Sequence, residues 1–238
     1  MFAVHFVWQG EGRIKASVII PTLNEERYLA RTLVLLKDQT EKDFEVIVAD
    51  SYSKDRTVVI ADRMGVKIVM TRRHGPGAGR NAGAEVAKGE ILIFLDADTW
   101  VPSNFVEKVV KYFQERGVVA ATCRYTCNDG NPVDRFLYLF ASNALFLFRE
   151  FRIFTHLPGF CSFYYRPVFS AMRGFREDLT HVEDGELAYR MSKQGKLGYV
   201  PGLMVATSAR RVKKWGYFKI TMSYLADTIL FFATRKII

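Results

Sequence analysis

The chain has 238 residues, 49% hydrophobic and 25% charged, with a formal net charge of +9. That mixture excludes a disordered polypeptide and supplies one large core, while the positive balance favours an anionic partner: nucleic acid, a phosphorylated substrate or an anionic membrane surface. No apolar run reaches bilayer-spanning length, and the opening MFAVHFVWQGEGR lacks the basic start and long apolar region of a secretory signal, so a cytoplasmic protein is expected.

Residues 1–14 read as an extension. ASVIIPTLN is then a buried strand ending at Pro21, and EERYLARTLVLLKDQ places Tyr28, Leu29, Leu33, Leu35 and Leu36 at helical spacing. FEVIVAD is a second strand, DRTVVIADRMG a helix closed by Gly65, and VKIVMT a third strand. This alternation predicts an α/β fold with a parallel, helix-covered sheet. GPGAGRNAGAEVAKG follows as a glycine-rich turn, a helix beginning near Ala78 and a stop at Gly89. The segment is neither a dinucleotide-binding G-x-G-x-x-G after the first strand nor a P-loop, which removes support for hydride transfer and ATP hydrolysis. Arg80, directly after the glycines, is placed to hold a diphosphate by paired hydrogen bonds.

ILIFLDADT, Ile91 to Thr99, is apolar throughout its first five residues, as a strand covered on both faces should be. If the extended geometry persists, Asp96 and Asp98 point to one side with carboxylates roughly 6 Å apart. At an effective dielectric of 20 they repel by about 3 kcal/mol, and a divalent cation turns that repulsion into attraction. A solvated turn also explains an isolated Asp-x-Asp. The case for a site rests on coincidence: in such sheets ligands bind beyond the carboxyl ends of the strands, and three of those ends carry Asn24-Glu25, Asp50-Ser51 and Asp96-Ala97-Asp98. Singly, Asn24 reads as a helix cap and Asp50 as the start of an Asx-turn.

These segments carry a resemblance to family 2 of the glycosyltransferases, the nucleotide-sugar-dependent group of GT-A fold. It rests on SVIIPTLNEE (17–26), VIVADSYSKDRT (46–57), GPGAGRNAGAEVAKGEILIFLDADT (75–99), RGF (173–175) and VEDGELAYRM (182–191), and covers Ser17 to roughly Trp215 in the family's order. The resemblance implies a Rossmann-like, largely parallel sheet flanked by helices over 15–215, followed by an apolar helical part over 216–238. It implies that Asp50 binds the nucleobase, that Pro21, Thr22, Asn24, Glu25, Ser51, Arg80, Asp96 and Ala97 line the nucleotide pocket, and that Asp96 and Asp98 hold Mn2+ or Mg2+ against the diphosphate. Asp184, with Glu183 adjacent, is implied as the base that takes the acceptor's proton, in a hexosyltransferase that inverts the anomeric centre. The implied partners are a UDP- or GDP-linked sugar and a polysaccharide, glycolipid or lipid-linked acceptor. Where many relatives read Asp-Gly-Ser after the second strand, this chain has Asp50-Ser51-Tyr52-Ser53. Asp184 also reads as an acid at a helix start, and His181 lies close enough to join a metal, though a lone histidine beside a loop is more often incidental.

Two other functions fit parts of this pattern. A nucleotidyltransferase shares the nucleotide and metal but has no need of a separate carboxylate far down the chain, which VED supplies; a basic nucleic-acid-binding protein lacks a matching signature and would have to present an acidic crevice. Nucleic acid is therefore not an expected partner.

The odd count of cysteines, Cys123, Cys127 and Cys161, predicts reduced thiols, although Cys123 and Cys127 in CRYTC are spaced to face each other across a turn. RFLYLFASNALFLFREF and the C-terminal WGYFKITMSYLADTILFFATRKII are apolar, aromatic and flanked by cations. Core helices, an oligomer interface and helices lying peripherally on an anionic bilayer all fit them. SARRVKKW sets Arg210 and Arg211, with two lysines, beside Trp215, a set suited to acceptor or phosphate groups.

Overall fold

The computed structural model describes residues 14–71, 75–150, 157–179 and 182–234. In chain order its elements are β1 (Ala16–Thr22), α1 (Leu29–Lys37), β2 (Phe44–Asp50), α2 (Thr57–Arg63), β3 (Lys67–Met70), α3 (Pro76–Glu85), β4 (Ile91–Leu95), α4 (Phe105–Arg116), β5 (Ala120–Cys127), α5 (Pro132–Glu150), β6 (Cys161–Tyr165), α6 (Arg166–Ala171), α7 (Glu183–Ser192), β7 (Leu197–Thr207) and α8 (Arg210–Thr234). The strands form one sheet in the order β3-β2-β1-β4-β6-β5-β7. Only β6 runs against its neighbours, β4 and β5; every other pairing is parallel. The chain moves outward from β1 to β2 and β3, then returns to lay β4 on the opposite side of β1. That reversal opens a crevice at the carboxyl ends of β1 and β4.

β4 shows why the sheet needs cover on both faces. All five of its side chains are fully buried. Ile91, Ile93 and Leu95 join Leu29 and Leu33 of α1 and Phe105, Val109 and Phe113 of α4; Leu92 and Phe94 face Tyr164, Phe169, Phe175, Leu187 and Met191 on the other side. Each such side chain contributes roughly 2 kcal/mol by leaving water.

The first helix begins four residues later than its apolar spacing implies. The amides of Asn24, Glu25 and Glu26 are taken by Ser53 Oγ, Thr57 Oγ1 and Asp55 Oδ2, so the loops after β1 and β2 are zipped together. α3, by contrast, begins at Pro76, two residues before the expected Ala78, so Gly77, Gly79 and Gly83 are helical. They serve close packing. A Cβ on Gly83 would lie 2.3 Å from Ile19 Cγ2, and one on Gly79 would lie 3.2 Å from Pro21 Cβ.

The three cysteines are buried free thiols. Cys123 and Cys127 do not face each other across a turn, because both lie on β5; Cys123 Sγ instead stands 3.8 Å from Cys161 Sγ on β6. α5 packs through Ser142, whose Oγ accepts the Tyr125 amide, and through Phe146 against Tyr199, with ring centroids 4.9 Å apart. Val133, Phe136, Phe140 and Leu147, together on another face, are 51–65% exposed. α8 changes direction at Gly216, where φ is 75° and ψ 158°. The Tyr217 hydroxyl bonds Asp134 of α5. Among the described residues, no helix is long and apolar enough to cross a membrane.

Gly89 sets the approach of β4 to β1. A Cβ there would lie 2.4 Å from the Ala16 carbonyl carbon and 2.5 Å from the Ser17 amide nitrogen, backbone atoms that cannot swing aside. Gly89→Ala is expected to cost about 1–3 kcal/mol through overpacking. For a domain of this size that lowers Tm by roughly 5 °C; a thermal melt indistinguishable from wild type would refute this account.

Candidate active site

The two carboxylates after β4 are not arranged by strand alternation. The strand ends at Leu95, and the Thr99 amide closes a turn onto the Asp96 carbonyl at 3.0 Å. Thr32 Oγ1 of α1 donates to the Ala97 carbonyl at 2.6 Å and anchors that turn. The extended geometry expected from the sequence therefore stops one residue too early, and Asp96 and Asp98 take different partners. Asp96 meets Arg80 Nη2 at 3.4 Å. Asp98, 5% exposed, receives Arg210 Nε at 2.8 Å and a long contact from Thr207 Oγ1 at 3.5 Å. Burial, reinforced by Asp96 and Glu25, pushes Asp98 up to about 7 against the pull of Arg210 and Arg211. The position is rich in acid and short of cation.

Arg80 lies on the buried face of α3. Its Nη1 donates to Glu183 Oε1 at 3.0 Å, joining residues 103 apart in sequence, and its guanidinium lies 5.4 Å from the Phe175 ring centre. Nε has no acceptor among the described residues. Glu183 opens α7, and burial together with Asp184 raises it above the ordinary range while Arg80 opposes the rise. Asp184, half-buried beside it, accepts the Gly159 amide on Oδ2 at 2.9 Å and the Gly185 amide on Oδ1 at 2.7 Å.

Asp50, at the end of β2, is fully buried. Thr22 Oγ1 donates to its Oδ2 at 2.8 Å; Ser53 donates its amide to Oδ1 at 2.7 Å and its hydroxyl to Oδ2 at 2.6 Å. Asn24 holds the neighbouring loop through its Oδ1, which accepts the Lys54 amide. Glu25 is gripped by Arg210 in a two-pronged pair, both contacts 2.7 Å.

The structure thus gathers Pro21, Thr22, Asn24, Glu25, Asp50, Ser51, Asp96, Ala97 and Asp98 at the ends of β1, β2 and β4, with Glu183 and Asp184 joined to them through Arg80. Arg210, from the first turn of α8, enters the same group. Trp215 stands apart from this group: it is 49% exposed, with Lys219 Nζ 5.9 Å from its ring centre. Arg211 is exposed, close enough to act on the charge of Asp98. His181 lies outside the described residues.

Four residues escaped the sequence reading. Ser53 fixes Asp50, and an acid followed three residues later by serine is a local signal for it. Asp129 accepts Ser208 Oγ and the Ala209 amide and so starts α8, a contact across 80 residues with no local signature. Tyr52 and Val182 hold left-handed φ of 62° and 59°, costly for bulky side chains, beside Asp50 and Glu183.

Among the described residues, no three His, Cys, Asp or Glu converge to hold a metal. A divalent ion of the Mg2+ type needs no protein cage: it is commonly held by one or two carboxylates plus substrate phosphates. Buried, cation-seeking Asp98 with Asp96 fits that requirement.

The sequence profile described as glycosyl transferase family 2 matches residues 17–173, and the chain belongs to that family. An uncharacterized glycosyltransferase of a Nostoc species is 33% identical over 125 residues, covering 50% of this chain and 38% of that protein. The poly(ribitol-phosphate) beta-N-acetylglucosaminyltransferase TarS of Staphylococcus aureus is 32% identical over 110 residues, covering 43% of this chain and 19% of TarS. The chain thus spans less than two thirds of the length of these relatives. The structure of TarS residues 1–349 in complex with UDP superposes with a TM-score of 0.66 at 22% identity, over 82% of this chain and 61% of that one. A mannosyltransferase from Pyrobaculum calidifontis in complex with GDP-Man and Mn2+ gives 0.61 at 20% identity, over 83% and 58%. The fold is GT-A.

Removing Arg80 leaves Glu183 and Asp96 facing each other without their shared cation. Arg80→Met is expected to destabilise by about 3–5 kcal/mol near neutral pH. Because Glu183 is already held above its ordinary 4.5, the folded state binds more protons than the unfolded chain, and stability falls as pH rises through that window. Losing Arg80 raises Glu183 further, so the deficit should shrink toward pH 5 and widen toward pH 8. Urea melts at both pH values check it; a pH-independent deficit contradicts the pairing.

Proposed function

We propose that the protein is an inverting glycosyltransferase that moves a sugar from a UDP- or GDP-linked donor to a hydroxyl of a polysaccharide, glycolipid or lipid-linked acceptor. One observation carries the reading: Arg80 bonds Asp96 at the end of β4 and Glu183 at the head of α7, which sets Asp184 at the same sheet edge as Asp98. Donor and acceptor functions need those two carboxylates in one crevice. The complexes of TarS with UDP and of the archaeal mannosyltransferase with GDP-Man and Mn2+ support a nucleotide-linked donor and a divalent metal.

The roles follow from what each residue has left to offer. Asp50, fixed by Thr22 and Ser53, presents its remaining acceptor capacity to a nucleobase N–H. Asp98 with Asp96 would hold Mn2+ or Mg2+, which would supply positive charge where the departing diphosphate becomes more negative. Arg80 Nε, lacking an acceptor, has a donor to spare for that anion. Asp184, aimed by the Gly159 and Gly185 amides, takes the acceptor hydroxyl's proton. The acceptor oxygen then bonds the anomeric carbon as the carbon–oxygen bond to the diphosphate breaks and its electron pair leaves with the phosphate. One displacement inverts the centre. Glu183 orients Arg80 and the start of α7.

Thermal-shift titrations with UDP- and GDP-sugars, with and without Mn2+, test the donor side, because specific binding raises Tm. A metal-dependent rise is expected, retained in Asp184→Asn, while transfer by that variant falls roughly 100-fold or more. A nucleotide sugar that binds equally well in EDTA removes the metal role; near-normal turnover of Asp184→Asn removes the base.

The acceptor side is proposed to work against an anionic membrane. Phe136 and Phe140 stack in parallel on the exposed face of α5, 6.4 Å apart. Phe218 and Met222 stand one turn apart on α8, 80% and 42% exposed. Arg135, Lys213, Lys214 and Lys219 are exposed around them, each worth on the order of 1 kcal/mol at an anionic surface. Pelleting with anionic vesicles at low salt, weakened by salt and reduced in Phe136→Ser/Phe140→Ser, is expected. No pelleting with anionic lipid at low salt would make a soluble acceptor the better reading.

A further inference from the structure

Arg210 is placed where a cation is needed. Its guanidinium makes three charged contacts, two at 2.7 Å to the oxygens of Glu25 and one at 2.8 Å to Asp98 Oδ2. It lies 5.0 Å from the centre of the Tyr28 ring. Its backbone is pinned independently: Asp129 takes the Ala209 amide at 2.6 Å and the Ser208 hydroxyl at 2.9 Å, so the first turn of α8 delivers the side chain from one fixed point. The residue it reaches is the carboxylate to which the preceding reading gives the metal.

We propose that Arg210 is the resident counter-cation of this pocket: without donor it occupies Asp98, and a divalent ion gains that carboxylate only by displacing the guanidinium. This rests on the reading that Asp98 holds the metal. The physical reason is charge. Buried Asp98 already shares the Arg210 guanidinium with Glu25, which leaves little for a second cation to gain there. A nucleoside diphosphate changes the balance by bringing negative charge of its own, so that Arg210 and the metal can both be accommodated. Metal and donor should therefore bind cooperatively, with Arg210 as a positioning residue that suppresses metal binding to the empty site. By linkage, whatever Arg210 costs the metal in the absence of nucleotide reappears as the factor by which nucleotide strengthens metal binding.

The test uses the whole chain and Mn2+ alone, its free fraction read by electron paramagnetic resonance, with and without UDP. Arg210→Gln should bind Mn2+ about tenfold more tightly than wild type without UDP, the loss of a charge-assisted contact being of that order. The enhancement by UDP should shrink by the same factor. Arg210→Lys, which keeps the cation, should stay within about threefold of wild type. Arg210→Gln binding Mn2+ no more tightly than wild type overturns the proposal. Asp98→Asn separates the two ideas: if it binds Mn2+ as wild type does, the metal reading itself fails, whereas loss there without gain in Arg210→Gln defeats only the counter-cation. Should the glutamine variant fold poorly, the Arg210 Nε–H signal of the unaltered protein decides by 15N NMR with diamagnetic Mg2+. It must move upfield as the bond to Asp98 breaks, and an unmoved signal at saturating Mg2+ refutes the exchange.

Discussion

A guanidinium that is almost fully shielded from water dictates much of the surrounding architecture. Arg80 is 5% exposed at its side chain and survives there because Glu183 and Asp96 share its charge. Such a pair adds little net stability, yet removing one partner strands the other, so the elements that carry the three residues cannot drift apart independently. α3 brings the arginine, β4 one acid and α7 the other. The small residues around it follow from the same requirement: a Cβ on Gly159 would lie 2.8 Å from Arg80 Nη2, and the glycine face of α3 lets the helix settle onto Ile19 and Pro21. Phe175 closes the apolar side of the guanidinium and belongs to the same aromatic cluster as Phe94, Tyr164 and Phe169. The core on that face and the ionic centre are thus one packing problem.

Backbone strain is distributed around the same edge. Among the described residues, the non-glycine positions with left-handed φ are Asn24, Tyr52, Arg173 and Val182. The first two follow β1 and β2, Arg173 precedes the turn that presents Phe175, and Val182 precedes Glu183. Asparagine tolerates that conformation, but tyrosine and valine do not adopt it without a cost of order 1 kcal/mol or more. The surrounding hydrogen bonds impose it. Asp50 holds Ser53 on both its amide and its hydroxyl, which leaves Tyr52 to make the turn. At α7, the Glu186 amide returns to the Val182 carbonyl at 2.9 Å. These are positions where the fold spends stability to aim carboxylates, as expected of a working site rather than of a loop.

Local patterns were sufficient where a residue's role is set by its neighbours in sequence. The unbroken apolar run of β4, the strand-helix rhythm up to Gly89 and the acids at three strand ends are all local patterns, and the structure brings those strand ends together at one sheet edge. What could not be read is whatever depends on long-range partners. The three amides before α1 find partners at Ser53, Thr57 and Asp55, and the turn after Asp96 is anchored by Thr32 on the Ala97 carbonyl, 65 residues away. The ion pair of Arg80 with Glu183, 103 residues away, has no local signal beside the expected phosphate role. Arg210 reads in sequence as a candidate acceptor or phosphate contact, and its pairing with Glu25, 185 residues upstream, has no local signal. The glycines of α3 read as a turn before a helix near Ala78, whereas the helix begins at Pro76 and its spacing puts Gly79 and Gly83 against β1.

The electrostatic organisation gives these particulars a common logic. The chain carries +9 overall, while the crevice collects Glu25, Asp50, Asp96, Asp98, Glu183 and Asp184. At long range a positive molecule attracts a nucleoside diphosphate. At short range the acids would repel the same anion, and Asp98, already pushed up to about 7, shows how strongly the pocket resists further negative charge. Two arginines meet this deficit differently. Arg80 is buried and committed to fixed acids, a structural charge. Arg210 is 36% exposed at its side chain and is held from the first turn of α8. If Asp98 holds the metal as proposed, the pocket discriminates by charge balance: a bare diphosphate meets repulsion and a bare cation meets Arg210, whereas the two together satisfy acids and guanidinium at once. On that proposal, selection of the metal-bound donor over either component alone would need no extra recognition element, only the arrangement of acids and arginines that the fold already imposes.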